Sequence, residues 1–493
     1  MEVGFMAPLM FAMLVVFMLL GYPVAFALAA NGLLFGLIGI EMGLLKPELL
    51  QAIPDRVFGI MRNDTLLAIP FFTFMGLILE RSGMAEDLLD SVGQLFGRVR
   101  GGLAYAVILV GALLAATTGV VAASVIAMGL ISLPVMLRYG YDRRFASGTI
   151  AASGTLAQIV PPSLVLIVLA DQLGVSVGDM YSAALVPSLL LAGLYLVYVL
   201  TRTTLQPEIA PALPAEARTL RGAALALRLL TSAVPPLVLI FLVLGTIFLG
   251  VATPTEGGAM GAVGALVLAG LRRRLNKTVL TQSLDRTVKL STFVMFILIG
   301  STVFALVFRA VDGDLWVEHM LAGLPGGEFG FLVMVMLLVF VLGFVLDFFE
   351  IAFILVPLLA PVAQKLGIDL VWFGVLLSLT MQTSFLTPPL GFSLFYLRSV
   401  APNTVSTGEI YRGAVPFVAL QLVIVMWVML MPALAVPNAV SAPDAAESDE
   451  VLRSLGLPTD APPQEDGNPS DASAPAQSEA VDPAVQFLEE LAR

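Results

Sequence analysis

The sequence predicts an all-α protein that crosses a membrane many times, built from two related halves of opposite orientation. Its 493 residues are 58% hydrophobic and 12% charged, and the mean hydropathy is +0.96. A soluble domain of ordinary composition carries about 25% charged residues. Long apolar runs alternate with charged clusters, and motifs of the first half recur in the second. These observations exclude a soluble enzyme, a nucleic-acid binder and a disordered scaffold.

The composition also excludes several kinds of functional site. The chain has no cysteine and one histidine, so disulfides, zinc–cysteine sites, iron–sulfur clusters and thiol nucleophiles are excluded. No Walker-type phosphate loop occurs, so nothing suggests ATP or an organic cofactor. The net charge of −11 lies almost wholly in the tail 436–493, which has 12 acidic and 2 basic residues. The acidity therefore says nothing about a substrate.

Apolar segments mark the predicted membrane crossings, since about 20 apolar residues cross a bilayer once as a helix. Two segments, Leu103–Leu137 and Phe331–Val362, are too long for one crossing, and each contains a break. The breaks are Thr117-Thr118-Gly119 and Gly343 to Glu350. We predict two helical hairpins that enter the membrane and return to the same side. The other predicted crossings are Val3–Gly21, Val24–Ile40, Leu66–Leu79, Phe145–Ala170, Ala183–Thr201, Val234–Gly250, Thr255–Leu271, Val288–Phe308, Val371–Leu397 and Val415–Met431.

The distribution of charge supports both hairpins, because Lys and Arg collect on cytoplasmic loops. Arginines flank the first hairpin at 98–100 and 138–144, so both its ends are predicted to be cytoplasmic. Acidic residues dominate at 312–328, before the second hairpin, so both its ends are predicted to be periplasmic. The arginine-rich loops at 218–228 and 272–274 are also predicted to be cytoplasmic. This arrangement leaves both termini outside.

The two hairpins belong to an internal repeat. A shift of 227 residues places Pro134 on Pro361, Asp142 on Asp369, and Pro161-Pro162 on Pro388-Pro389. These identities occur at turns and helix breakers, where chance matching of apolar residues contributes least. Inverted repeats with interrupted helices are typical of secondary transporters.

The strongest local signal is the double proline in the middle of an apolar segment of each half. Two consecutive prolines remove two backbone donors, so the helix must open there. In a membrane such a break is tolerated where it lines a cavity or faces protein. Opened carbonyls and hydroxyls suit a cation such as Na⁺, and the N-terminus of the following half-helix suits an anion. A structural kink packed against a neighbour is the alternative interpretation.

The hairpin tips are the expected counterparts of the two breaks. The first tip offers hydroxyl and small residues, and the second contains Asp347 and Glu350. A charge at membrane depth is costly and usually functional. Asp347 is therefore predicted to lie beside a cation site or to take part in proton coupling, or alternatively to lie near an interface or cap a half-helix. Thr253 and Glu256, with Pro254 between them, fit a capping box, for which a structural role is expected.

Several motifs together resemble the large membrane subunit of tripartite ATP-independent periplasmic (TRAP) transporters. The resemblance extends over roughly Met1 to Met431. The stretch Leu346–Phe353 is similar to the subgroup labelled for mannitol or chloroaromatic compounds. The motifs are Gly21-Tyr22-Pro23-Val24-Ala25-Phe26, Gly250–Glu256, Ile159–Ser163, Gly367–Gly374 and Thr387–Gly391.

The resemblance implies an elevator-type fold in which a transport region moves against a scaffold in each inverted repeat. It implies a bacterial inner-membrane location and two partners, a small four-helix membrane subunit and a periplasmic substrate-binding protein. The substrate would be an organic anion such as a carboxylate, and a Na⁺ gradient would drive its uptake. A stand-alone ion-coupled carboxylate transporter and, less favoured, an intramembrane enzyme are the alternatives.

The resemblance also implies a set of site residues, with the substrate between two cation sites. The expected Na⁺ ligands are Thr117, Thr118, Gly119, Val160, Pro161, Asp347, Thr383, Thr387 and Pro388. The expected substrate-binding residues are Ser124, Gln158, Pro162, Ser163, Gln382, Ser384, Pro389 and Gly391.

The chain is accordingly expected to divide into scaffold regions, transport regions and a tail. The tail is expected to be disordered and periplasmic, because few apolar residues remain there to form a core. The expected regions are scaffold 1–61, transport 62–201 with its hairpin at 103–137, a cytoplasmic connector at 202–232, scaffold 233–287, transport 288–435 with its hairpin at 331–362, and the tail 436–493.

Overall fold

The computed structural model describes residues 3–322 and 325–436, and within these ranges it contains helices and no strands. The side chains of residues 3, 4, 19, 117, 118 and 322 lie outside the description. The first half contains α1 (Val3–Leu19), α2 (Val24–Glu41), α3 (Glu48–Gln51), α4 (Ile53–Met61), α5 (Asp64–Arg81), α6 (Met84–Leu95), α7 (Gly102–Thr118), α8 (Val121–Arg138), α9 (Arg143–Thr155), α10 (Leu164–Leu173) and α11 (Val177–Leu205).

The second half repeats this series after a connector with two short 3₁₀ turns. It contains α12 (Gly222–Phe248), α13 (Pro254–Leu271), α14 (Lys277–Ala310), α15 (Gly313–Ala322), α16 (Gly327–Leu342), α17 (Phe348–Ile354), α18 (Val356–Lys365), α19 (Leu370–Leu386), α20 (Phe392–Val400) and α21 (Thr407–Leu430).

Six helices of the described residues are long and apolar enough to cross a membrane, or up to eight if each of two bent helix pairs forms one span. Shorter apolar helices, such as α7, α10, α16 and α19, accompany them. The predicted class, an all-α polytopic membrane protein with interrupted helices, is therefore confirmed.

The internal repeat is visible in the helix bounds. Adding 227 to the bounds of α8 gives 348–365, which are the first residue of α17 and the last residue of α18. The same shift carries Arg143, where α9 begins, onto Leu370, where α19 begins. Even the caps agree, since Asp142 accepts a hydrogen bond from the Phe145 N–H at 3.0 Å and Asp369 accepts one from the Trp372 N–H at 2.8 Å.

Long helices of one half pack along helices of the other in equivalent pairs, α2 with α14 and α13 with α5. Glycines allow the close approach. A Cβ on Gly32 of α2 would lie 2.8 Å from the Val303 carbonyl oxygen, and one on Gly300 of α14 would lie 2.3 Å from the Ala25 carbonyl oxygen. Small residues at helix contacts are a general feature of membrane bundles, because they let backbones meet.

The two halves differ at two bends that the sequence analysis did not predict. The segment formed by α3 and α4 is bent by 49° relative to α5, whereas the counterpart α14 runs unbroken for 34 residues. Asn63 restarts the helix at this bend by accepting hydrogen bonds from the Thr65 and Leu66 N–H groups. In the second hairpin α17 and α18 are bent by 53°, where Pro357 removes a helix donor.

The breaks of both predicted hairpins lie near the expected residues, whereas the return of each hairpin to one side of the membrane stays a prediction. The first consists of α7 and α8, which contact each other across Gly119 and Val120. The second consists of α16 followed by the bent pair α17–α18, so it has an additional break at Leu355.

The capping box at α13 is also as predicted. Thr253 accepts from the Glu256 N–H at 3.2 Å, and the Glu256 carboxylate accepts from the Thr253 N–H at 2.8 Å. His319 lies on the short helix α15. The division into scaffold and transport regions stays a prediction, and the tail beyond Val436 lies outside the described residues.

Candidate functional site

The first double-proline break is almost completely enclosed by protein. Every residue from Phe145 to Ala170 is buried except Val160, which is half-buried. The Ser163 hydroxyl donates to the Gln158 carbonyl at 2.7 Å and accepts from the Val165 N–H at 3.2 Å. Ser163 thus joins the end of one helical segment to the start of α10, and it compensates for part of the hydrogen bonding that the prolines remove.

The second double-proline break has the same construction but a more open position. The Thr387 hydroxyl donates to the Thr383 carbonyl at 2.7 Å, and the Ser393 hydroxyl donates to the Phe385 carbonyl at 2.8 Å. Gly391 is buried, whereas Pro388 is half-buried and Pro389 is exposed. Both breaks contain a cis proline–proline peptide bond.

Each hairpin tip lies against the break of its own half. Gly119 adopts φ +59°, and a Cβ there would lie 2.9 Å from Leu164 Cγ, at the start of α10. At the second tip, a Cβ on Gly343 would lie 2.6 Å from Ser384 Oγ, and this hydroxyl donates to the Phe340 carbonyl at 2.8 Å. The absence of a side chain at both glycines lets tip and break come into contact.

The two halves also meet beside the breaks. The Ser378 hydroxyl of α19 donates to the Gln158 carbonyl at 3.1 Å. The Gln382 side-chain amide donates to the Thr155 hydroxyl at 3.4 Å, and these residues are 227 positions apart, equivalent in the repeat. The helices leading into the two breaks therefore touch in the interior of the protein.

Gln158 is the residue whose surroundings point most directly to a ligand. Its side chain is fully buried, and within the described residues neither its amide nitrogen nor its carbonyl oxygen has a hydrogen-bond partner. Because both atoms are unpartnered, an exchange of the two would not satisfy either one. A buried polar group without a partner costs roughly 1–3 kcal/mol, so a bound group or water is expected there.

Asp347 caps a helix, as the alternative interpretation expected. Its carboxylate accepts from the Phe348 N–H at 2.6 Å, and the Glu350 carboxylate accepts from the Asp347 N–H at 2.9 Å. The two residues form a capping box at the start of α17. A capping carboxylate keeps further lone pairs, so a role toward a cation remains compatible with this geometry.

The other expected ligands are distributed around these contacts. The Thr383 hydroxyl is buried and donates to the Leu379 carbonyl at 2.8 Å. Ser124 is buried on α8. Thr117 and Thr118 end α7, but their side chains lie outside the described residues. Val160, Pro161 and Pro162 lie at the first break.

Tyr195, Ser378 and Gln421 lie in one buried polar cluster with Thr155 and Gln158, and none of the three was predicted from the sequence. The Gln421 amide donates to the Tyr195 hydroxyl at 2.8 Å and to the Thr155 hydroxyl at 3.3 Å. Each lies within a long apolar helix, and an isolated polar residue in such a helix was the available signal.

The oxygen atoms around the two breaks suit a hard cation, which prefers oxygen ligands. Within the described residues there is no group of three or more His, Cys, Asp or Glu side chains placed to hold a metal ion. Backbone carbonyls at the breaks and tips, and hydroxyls near the breaks, are the oxygens available instead, and such oxygens coordinate Na⁺ in broken-helix transporters. The residues present therefore fit Na⁺ better than a transition metal.

Comparison with known proteins agrees with this architecture. A family model described as "Tripartite ATP-independent periplasmic transporter, DctM component" matches residues 11–434. The C4-dicarboxylate TRAP transporter large permease protein DctM of Pseudomonas aeruginosa is 32% identical over 80% of this chain and 91% of its own length. The isethionate TRAP transporter permease protein DctMQ of Oleidesulfovibrio alaskensis is 26% identical over 87% of this chain and 65% of its own length.

The fold is also similar to a solved structure. The crystal structure of the Alcanivorax borkumensis YdaH transporter matches with a TM-score of 0.56 and 16% identity, over 78% of this chain and 89% of that chain. At this identity the likeness shows the fold alone. The mannitol or chloroaromatic subgroup finds no support, because the relatives are named for C4-dicarboxylates and other substrates. The matched family model and the relatives nevertheless agree on one assignment: the chain belongs to the tripartite ATP-independent periplasmic transporters, as a large permease (DctM) component.

Proposed function

We propose that this chain is the permease through which a TRAP transporter takes up an organic anion, a carboxylate, driven by a Na⁺ gradient. The observation that carries the proposal is the contact between a hairpin tip and a double-proline break in each of two repeated halves. A pair of such sites, joined by touching helices, provides places for coupling ions on either side of a substrate.

In this proposal different groups at the breaks bind the cation and the anion. The Na⁺ ligands are the carbonyl and hydroxyl oxygens around Gly119 and Val160 in one half, and around Asp347 and Thr387 in the other. The half-helix N-termini at α10 and α20 face the carboxylate with their positive ends. Gln158, Gln382 and Ser384 provide polar groups for its oxygens.

The regions 62–201 and 288–435 form the moving transport part of an elevator, and 1–61 and 233–287 form the scaffold. The chain lies in the bacterial inner membrane with its C-terminal tail in the periplasm. Its partners are a small four-helix membrane subunit and a periplasmic binding protein that delivers the substrate. The relatives named for C4-dicarboxylates support a carboxylate of that size as the first substrate to test.

The test is uptake of a radiolabelled C4-dicarboxylate into proteoliposomes that contain the chain with its small subunit, with the binding protein outside. We expect uptake when Na⁺ is supplied outside and a fall to background when K⁺ replaces it or when the binding protein is omitted. Equal uptake without the binding protein would identify a stand-alone transporter. Chemical turnover of the substrate without its accumulation would identify an enzyme.

A matched pair of variants tests the cation role of Asp347. Asp347 and Asp369 each cap a helix, and asparagine caps a helix about as well as aspartate. We expect Asp347→Asn to raise the Na⁺ concentration needed for half-maximal uptake, because it removes a negative charge beside the ion, whereas Asp369→Asn leaves it unchanged. Identical Na⁺ dependence of the two variants would remove Asp347 from the site.

A further inference from the structure

A cavity lies apart from the two double-proline breaks, between helices that belong to different proposed regions. It has a volume of about 360 Å³, within the range of small-molecule sites. Helices α4 and α14 form one wall, and α10, α17 and α18 form the other. The residues that carry charge or an amide in its lining are Arg56, Asn63, Asp171, Gln172 and Arg309.

The charges in this cavity favour an anion. The Asp171 carboxylate is already satisfied by two amides, at 2.6 Å from Asn63 Nδ2 and 2.8 Å from Gln172 Nε2. Within the described residues the guanidinium groups of Arg56 and Arg309 make no ion pair and no hydrogen bond. Two guanidinium groups against one carboxylate leave a net positive lining with ten unused N–H donors.

The cavity lies toward the predicted periplasmic side. The arginines at 98–100 and 272–274 are predicted to be cytoplasmic. A long helix beside each of these clusters is therefore predicted to have its far end on the periplasmic face. Helix α14 begins after residues 272–274 and ends at Ala310, so Arg309 lies at its outer end. Arg56 precedes α5, which runs inward toward residues 98–100, so Arg56 also lies at the outer face.

The cavity is connected to the first break by a single short helix. Helix α10 begins at Leu164, directly after the break, and Asp171 follows seven residues later. At 1.5 Å per residue these positions are about 10 Å apart along the helix axis. An anion held in the cavity is thus about two helical turns from the half-helix N-terminus that faces the proposed substrate site.

We propose that the cavity between Arg56 and Arg309 is an outer vestibule that binds the carboxylate substrate before it reaches the breaks. The inference rests on the proposed function, since it assigns a further binding site on the path of the same substrate. Arginine binds a carboxylate through a planar fork of donors, and two unpaired forks in one cavity match a dianion. Positive lining also raises the local concentration of an anion near the entrance.

The experiment measures direct binding as well as transport. Purified chain is dialysed to equilibrium against a radiolabelled C4-dicarboxylate, for wild type, Arg56→Gln, Arg309→Gln, the double variant and Arg62→Gln. Arg62 is a matched control because it is exposed nearby, stacks on Phe58 at 4.7 Å and does not line the cavity. We expect the double variant to bind about tenfold more weakly, with a similar rise in the KM of uptake and a kcat within twofold of wild type.

The outcomes separate this inference from the function on which it rests. A double variant that binds and transports like wild type would overturn the vestibule while leaving the function intact. Wild type with neither uptake nor binding would overturn the proposed function. If the variants changed only the concentration of binding protein needed for uptake, and not binding of free dicarboxylate, the cavity would be a protein-docking site and the inference would be wrong. Lysine at both positions keeps the charge but loses the planar fork, so that variant should bind more weakly than wild type and more tightly than the double glutamine variant.

Discussion

Gln158 is a fully buried carboxamide whose two polar atoms find no partner among the described residues. Its backbone carbonyl, in contrast, accepts from the hydroxyls of Ser163 and Ser378. The backbone carbonyl of Gln158 therefore has hydrogen-bond partners, and only the two polar atoms of its side chain lack them. A group with this energetic cost is expected where a ligand supplies the missing hydrogen bonds.

Replacement of this side chain by an apolar one of similar volume separates stability from function. We expect Gln158→Met to leave the melting temperature unchanged or to raise it, because an unpaired polar group leaves the interior. Uptake should fall at least tenfold (about 1.4 kcal/mol), because the ligand loses its partner. Gln364→Met, at an exposed position on α18, serves as control and should change neither quantity. Wild-type uptake by Gln158→Met would show that the residue has only a structural role.

At the level of single residues, the sequence predicted where the candidate site lies but not which side chains contact each other there. The double prolines predicted two breaks, because no continuous helix accommodates them. The partners of Thr155 and Gln421 were not predictable, since they are brought together from three different helices. The sequence left two roles open for Asp347, and the structure shows the capping role directly while its role toward Na⁺ stays a proposal.

At the level of helices, a very close approach joins α9 to α21 through two glycines. A Cβ on Gly148 would lie 2.0 Å from the Gly413 carbonyl oxygen, and one on Gly413 would lie 2.1 Å from the Arg144 carbonyl oxygen. Both obstacles are backbone atoms, which cannot move aside as a flexible side chain can. The two helices therefore pack at this distance only while both positions lack a side chain.

A single methyl group tests this packing. We expect Gly413→Ala to lower stability by about 1–3 kcal/mol, because α9 and α21 must separate, and a lower melting temperature in detergent would report it. Gly193→Ala is the control, since Gly193 lies within α11 with nothing near its Cβ position. Alanine is the better helix former, so this variant should melt at the same or a higher temperature. Equal melting temperatures for the two variants would contradict the close approach.

The hairpins show what sequence patterns can and cannot predict about whole helices. Length and a small-residue interruption predicted the pair α7–α8. The bend at Leu355 was missed because the apolar pattern continues through it, and only Pro357 marks the change of direction. The bend at Asn63 was missed because it lies in a polar run before the predicted crossing Leu66–Leu79, where no helix was expected. The amphipathic α6 and the short α15 were missed because neither is an apolar run long enough to suggest a crossing.

At the level of the whole molecule, the absence of cysteine makes the predicted topology directly testable. Single cysteines at exposed positions can be labelled in intact cells with a membrane-impermeant maleimide. We expect Glu328→Cys to react from outside, and Arg98→Cys and Arg138→Cys to react only after the cells are opened. Reaction of just one of the two arginine positions from outside would mean that the first hairpin crosses the membrane, and the inverted arrangement would be wrong.

The overall architecture was the most predictable property of this chain. Composition indicated the membrane, and the shift of 227 residues indicated two equivalent halves, which the helix bounds reproduce. Global patterns of this kind depend on many residues, so no single local exception obscures them. The pairing of α2 with α14 and of α5 with α13 was beyond the sequence, because apolar surfaces alone do not specify their partner.

The double-proline segment of the first half is enclosed, whereas that of the second half is partly uncovered. Because the halves share one pattern of helices and are predicted to have opposite orientation, we expect each half to be able to adopt the conformation of the other. An exchange of the two conformations would close the second segment, uncover the first, and turn the opening toward the opposite aqueous compartment. If the proposed function holds, we expect these two conformations to correspond to the two ends of an alternating-access cycle.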